Sequence, residues 1–104
     1  MTHAATRRPD AAELTDLEDW VDWLMIYYPL TYLQVTDCWA LHNEQVEELT
    51  ALHRSWLAAY THNAHPDAAL RWHEAFAEAR HRQQDWILRA GCRPLEHHEP
   101  RRRS

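Results

Sequence analysis

The chain has 104 residues and a formal net charge of −5, which suits one domain and weakens a nucleic-acid role, because phosphate binding needs a concentrated cationic surface. Six Trp and four Tyr against one Phe predict an aromatic core, and the single glycine, Gly91, leaves an all-β design short of the residue its tight turns need. No apolar run approaches the roughly 20 residues of a bilayer span and no secretory h-region is visible, so a cytoplasmic protein with no membrane partner is expected, its two cysteines being thiols or metal ligands.

Residues 1–9 are polar and expected to be flexible. Asp10 can cap a first helix running to Tyr28, with an apolar stripe at Leu14, Leu17, Val21, Leu24 and Tyr28 and with Trp20 beside it. Asp16, Glu18, Asp19 and Asp22 cover much of its remaining surface. Pro29 ends this helix, since the residue before a proline disfavours the helical region. Residues 29–36 read as an irregular packed connection, with one short strand as the other reading. A short helical segment is expected over 37–42, unless one continuous helix runs from 37 to 60. Asn43 is the expected N-cap of the second main helix, 44–60, with its stripe at Val46, Leu49, Leu52, Trp56 and Tyr60.

Residues 61–66 read as a loop. Asp67 is placed as the cap of a third helix, 68–90, whose stripe is Trp72, Phe76, Ala79, Gln83, Trp86 and Ala90. Gly91 follows as the residue that stops it, and Pro94 forbids helical continuation nearby. The tail 99–104 is Arg-rich and expected to be disordered. The predicted architecture is all-α: a compact bundle of three main helices plus a short helical segment, in one domain over 10–98.

The chemistry-bearing feature is a pair of Cys/His couples, Cys38-Trp39-Ala40-Leu41-His42 and Cys92-Arg93-Pro94-Leu95-Glu96-His97-His98. Positions i and i+4 share a helix face, with Cβ atoms about 5–6 Å apart, so Cys38 and His42 can converge on one ion. The second couple starts just after a helix stop, and its loop can close on the same metal. Cys38, His42, Cys92 and His97 form a Cys2His2 set that suits structural zinc, with His98 or His73 as alternate ligands. The order of the couples differs from that of a DNA-reading zinc finger. Zinc would staple the C-terminal turn onto the start of the central helix. The competing reading is two buried thiols with unrelated histidines, since Cys is an ordinary core residue.

Trp23 and Trp39 lie off their best stripes and are candidate anchors for a protein partner or a homodimer. His53 and His73 sit near core faces, where a hydrogen-bonded, partly buried imidazole is expected. Charge is uneven: residues 1–67 carry 3 Arg against 11 acids, and residues 68–104 carry 8 Arg against 5. A nucleic-acid contact would need Arg71, Arg82 and Arg89 to line up with Arg101, Arg102 and Arg103. Neither a Gly-rich phosphate loop nor a nucleophile elbow is present, and no enzymatic activity is expected.

The run Cys38-Trp39-x-x-His42, Glu48-Leu49-x-x-Leu52-x-x-x-Trp56-x-x-x-Tyr60, Trp72-His73-Glu74 and Gly91-Cys92 resembles a family of small actinobacterial proteins of unknown function. Members of that family occur on conjugative plasmids, integrative elements and phages. The match spans residues 18–98. Asn43 stands where the family pattern has proline, and Glu74 where it has aspartate. The resemblance implies a mobile-element setting and brings no activity with it. A chain free of Lys, with Arg as its basic residue, agrees with a GC-rich genome. The resulting expectation is a non-enzymatic adaptor or regulatory protein with a structural zinc site. A metal-free interaction domain and a nucleic-acid accessory protein are the alternatives.

Overall fold

A computed structural model describes residues 9–28, 30 and 34–91. Its elements are α1 (Ala11–Tyr27), a 3-10 turn (Trp39–Leu41), α2 (Asn43–Ala59) and α3 (Ala68–Ala90), with no strand among the described residues. The all-α expectation holds. Expectations for residues 1–8, Pro29, 31–33 and 92–104 lie outside the described residues.

Helix α1 starts where its sequence supplies a cap. The Asp10 carboxylate accepts from the Glu13 backbone N–H at 2.8 Å, satisfying one of the donors a helix start leaves open. Leu17, Trp20, Val21 and Leu24 turn inward at steps of three and four, and Leu14 and Tyr28 pack at the edge of the core. The C-cap Tyr28 leaves the helix in an extended conformation.

Helix α2 is central and packs against α1, α3 and the 3-10 turn. Its stripe is buried as predicted at Val46, Leu49 and Leu52, then rises toward the surface at Trp56 and Tyr60. The continuous helix from 37 to 60 does not form. His42 is extended, with φ −115° and ψ 117°, and separates the 3-10 turn from α2. The N-cap is therefore His42, not Asn43, and its carbonyl accepts from Val46 N at 3.0 Å.

Helix α3 has the predicted bounds, and Gly91 follows in the left-handed region at φ 83°, where a side chain would be strained. Two details differ from expectation. Asp67 stands at the N-cap but makes no capping bond; its carboxylate instead accepts from Arg71 one turn on, at 2.8 Å, and contacts His65. Ile87 takes the buried place in the stripe, while Trp86 lies half-buried at its edge.

The core joins Leu17, Val21 and Leu24 of α1 to Leu49 and Leu52 of α2 and to Trp72, Phe76 and Ala79 of α3, with Val35 and Trp39 closing one side. Trp72 stacks on Phe76 at a ring distance of 5.0 Å, and its indole N–H donates to the Leu52 carbonyl at 2.9 Å. That bond ties α3 to α2 while satisfying a donor that burial would leave costly. Between α1 and α2, Arg54 makes a two-bond fork with Glu13 at 2.6 and 2.8 Å. That carboxylate raises the guanidinium pKa above its already high ordinary value.

Candidate functional site

Cys38 and His42 do meet. Cys38 Sγ lies 3.3 Å from His42 Nε2. The backbone that brings them together is a turn and not the α-helix expected. Leu41 N donates to the Cys38 carbonyl at 2.9 Å, and His42 N to the Trp39 carbonyl at 3.1 Å. These tight bonds curl the chain so that His42, extended, returns its ring over the thiol. A tetrahedral zinc ion with Zn–S near 2.3 Å and Zn–N near 2.0–2.1 Å would hold the two atoms about 3.5 Å apart. The observed pair is within a few tenths of an ångström of that spacing.

A buried polar network supports the thiol. Cys38 Sγ donates to Thr36 Oγ1 at 3.4 Å, and Gln45 Nε2 donates to the same oxygen at 3.0 Å. The Thr36 backbone N–H donates to Gln45 Oε1 at 3.4 Å, so Gln45 grips Thr36 from both ends of its amide. Thr36 and Gln45 are both fully buried. A hydroxyl has one hydrogen and two lone pairs. With Gln45 on one lone pair, Thr36 can accept from a thiol or turn its hydrogen toward a thiolate. Metal binding needs the thiolate, and groups behind the ligands are what orient them. Gln45 was missed in the sequence, although it carried a signal: a polar residue four positions before Leu49, in phase with the buried stripe.

His42 is 3% exposed, and its ring meets Trp86 edge-on at 4.6 Å. Trp86 is in the last turns of α3. At about 1.5 Å of rise per residue, the helix end at Gly91 is some 7 Å further along the axis. Gly91, the last described residue, thus lies five residues beyond the ring that packs on His42. Cys92, His97 and His98 themselves lie outside the described residues. Among the described residues, no group of three or more His, Cys, Asp or Glu side chains converges as a metal site. The alternate ligand His73 therefore does not join the corner. It is exposed, and its Nε2 pairs with the Tyr28 hydroxyl at 3.1 Å.

The two candidate anchors separate. Trp39 is 8% exposed and belongs to the core, because the 3-10 turn rolls it inward under α2, so little of its ring is offered to a partner. Trp23 is 38% exposed. It stacks on Tyr27 at 5.0 Å and meets Trp56 at 5.4 Å, and Trp56 in turn meets Tyr60 at 5.3 Å. The signal was present: Trp23 and Tyr27 are spaced i, i+4, away from the buried stripe.

The arginines of α3 do line up, since Arg71 and Arg89 are about five turns apart and Arg82 falls near the same meridian. Two of them are already neutralised. Arg71 pairs with Asp67, and Arg82 makes a fork with Glu48 at 2.7 and 3.2 Å. Arg101, Arg102 and Arg103 lie outside the described residues.

His53 departs from expectation. It is 6% exposed and lies against Trp20 at a ring distance of 5.0 Å, but its Nδ1 has no hydrogen-bond partner among the described residues. Burial lowers its pKa, against the opposing pull of Glu13 and Asp16. No helix among the described residues is long and apolar enough to cross a membrane. No family model, curated protein or solved structure matches the chain.

Proposed function

We propose that this chain is a non-enzymatic helical adaptor whose fold is closed by a structural zinc ion on Cys38, His42, Cys92 and His97. One observation carries the reading: Cys38 Sγ and His42 Nε2 are 3.3 Å apart in a half-buried corner against which the last turns of α3 pack through Trp86. Four protein ligands would leave the metal no open position, so its part is to hold the C-terminal turn on the α2 start and do no chemistry. The work of the protein would then fall to its surface. The resemblance to actinobacterial mobile-element proteins supports a mobile-element setting, through motif spacing and composition.

The test is the metal content of the untagged chain by native mass spectrometry, with and without a strong chelator. One zinc per chain, lost together with the folded signal, is the expected result. Cys38→Ala and Cys92→Ala should each remove it, with non-additive losses of stability. Protein that stays folded and metal-free, with small additive losses, would overturn the staple. It would favour the second reading, a metal-free interaction domain, which rests on the exposed Trp23–Tyr27–Tyr60 surface.

A further inference from the structure

The outer face of α1 combines exposed carboxylates with large exposed apolar side chains. Asp16, Glu18, Asp19 and Asp22 are exposed there, and none forms an ion pair among the described residues. Arg54 of α2, which reaches this helix, forks onto Glu13. One turn further along, the same face carries Trp23, Ile26 at 84% exposure and Tyr27 at 65%. Asp19, Trp23 and Tyr27 follow one another at i, i+4 and i+8, a row with a carboxylate and then two rings at about 6 Å intervals. Asp22 and Ile26 form a second row beside it. Trp56 and Tyr60 of α2 widen the aromatic end, ring against ring from Trp23.

Neither half explains the other. An aromatic surface meant for a second copy of this chain would be repelled by its own carboxylates across a twofold axis. A merely solvating acidic face does not need three large apolar side chains in line with it. One chemical group satisfies both halves. A guanidinium lies flat on an indole or phenol ring while donating in its plane to a carboxylate, and it sheds water more easily than an ammonium.

We propose that this face is a docking surface for an arginine-bearing segment of a partner protein, an arginine side chain lying between Asp19 and Trp23 with Asp22 in the row beside them. The proposal rests on reading the chain as an interaction module and names the partner's chemistry; it does not depend on the zinc.

The experiment titrates the intact chain with a synthetic peptide of alternating Arg and Ala, and with twins carrying Lys or Glu in place of Arg. Indole N–H resonances and calorimetry are the readouts. The Arg peptide is expected to shift the Trp23 and Trp56 signals. Its affinity should fall about tenfold between low salt and twice physiological salt, because the charges are exposed. The Lys twin should bind several-fold more weakly, and the Glu twin should not bind. D19N with D22N should weaken binding about tenfold, and Trp23→Ala about fivefold, whereas D85N on α3 should leave it unchanged.

Equal binding of the Glu twin, or shifts confined to another face, would overturn the cationic assignment. So would self-association that buries Trp23 without peptide. Deleting residues 99–104 should not change the affinity; an increase would make the chain's own arginines the occupant and overturn the assignment to a partner. Zinc content is read on the same samples. Failure to bind on a folded, zinc-loaded chain would count against this surface and leave the staple standing.

Discussion

Two regions of this molecule are held together by opposite means. Where α1, α2 and α3 meet, stability comes from shape: Leu17, Leu24, Leu49, Trp72 and Phe76 fill the centre, and polar atoms are left over. Trp20 Nε1, Thr50 Oγ1 and His53 Nδ1 are buried there without a hydrogen-bond partner among the described residues. In the corner over 35–46 the polar groups find one another instead. Gln45 bonds Thr36, Thr36 meets Cys38, and Cys38 meets His42. The first region draws on apolar area, which is non-directional and outweighs the cost of the polar atoms left unpaired inside it. The second depends on a few directional contacts, each of which is costly to lose singly.

The comparison predicts how each region breaks. Phe76→Ala should have the largest effect, about 3–5 kcal/mol, through lost burial and the cavity left beside Trp72. Denaturant unfolding should give the same loss with zinc or with chelator. Cys38→Ala should cost about 3–4 kcal/mol when free zinc stands a hundred- to a thousandfold above its Kd, and little in chelator. If both variants respond alike to chelator, the corner is not a metal device. Gln45→Leu should cost about 1–3 kcal/mol by leaving Thr36 without its partner, and should also weaken zinc retention in competition with a chromophoric chelator. Unchanged zinc affinity would confine Gln45 to a packing role.

The first region was legible in the sequence because its signal is periodic. Steps of three and four gave Leu17, Val21 and Leu24, then Leu49 and Leu52, then Trp72, Phe76 and Ala79. Asp10, Asp67 and Gly91 marked ends that fall within a residue of the observed ones. The corner was legible only as residue types. Cys38 and His42 were expected to meet through one helical turn, but the chain uses a 3-10 turn and an extended His42, a choice made by packing Trp39 and closing on Trp86. No local pattern encodes that choice. Trp39 was read as a surface anchor for the same reason: helical phase has no meaning in a three-residue turn. The unpaired state of His53 was illegible too, since the sequence shows that an imidazole faces the core but not whether a partner waits there.

The smallest prediction sharpens the comparison at His53, the point where the first region comes closest to failing. Burial holds the folded-state pKa of His53 below its ordinary value near 6.5, with Arg54 acting in the same direction and Glu13 and Asp16 against it. Above pH 6.5 the ring is neutral in both folded and unfolded chains, and its contribution is complete. As pH falls through that value the unfolded chain takes up a proton that the folded chain resists. Stability should therefore drop, by at most about 1.4 kcal/mol per pH unit for this one group, until the folded-state pKa is passed. His53→Leu removes the term while keeping apolar contact with Trp20. The stability difference between wild type and variant should be flat at pH 7–8 and move in favour of the variant as pH falls toward 5. Measuring the difference with chelator present cancels the other histidines and any metal release. A difference that stays flat to pH 5 would mean the buried imidazole is compensated after all, and that the shape-held region is as well satisfied as the corner.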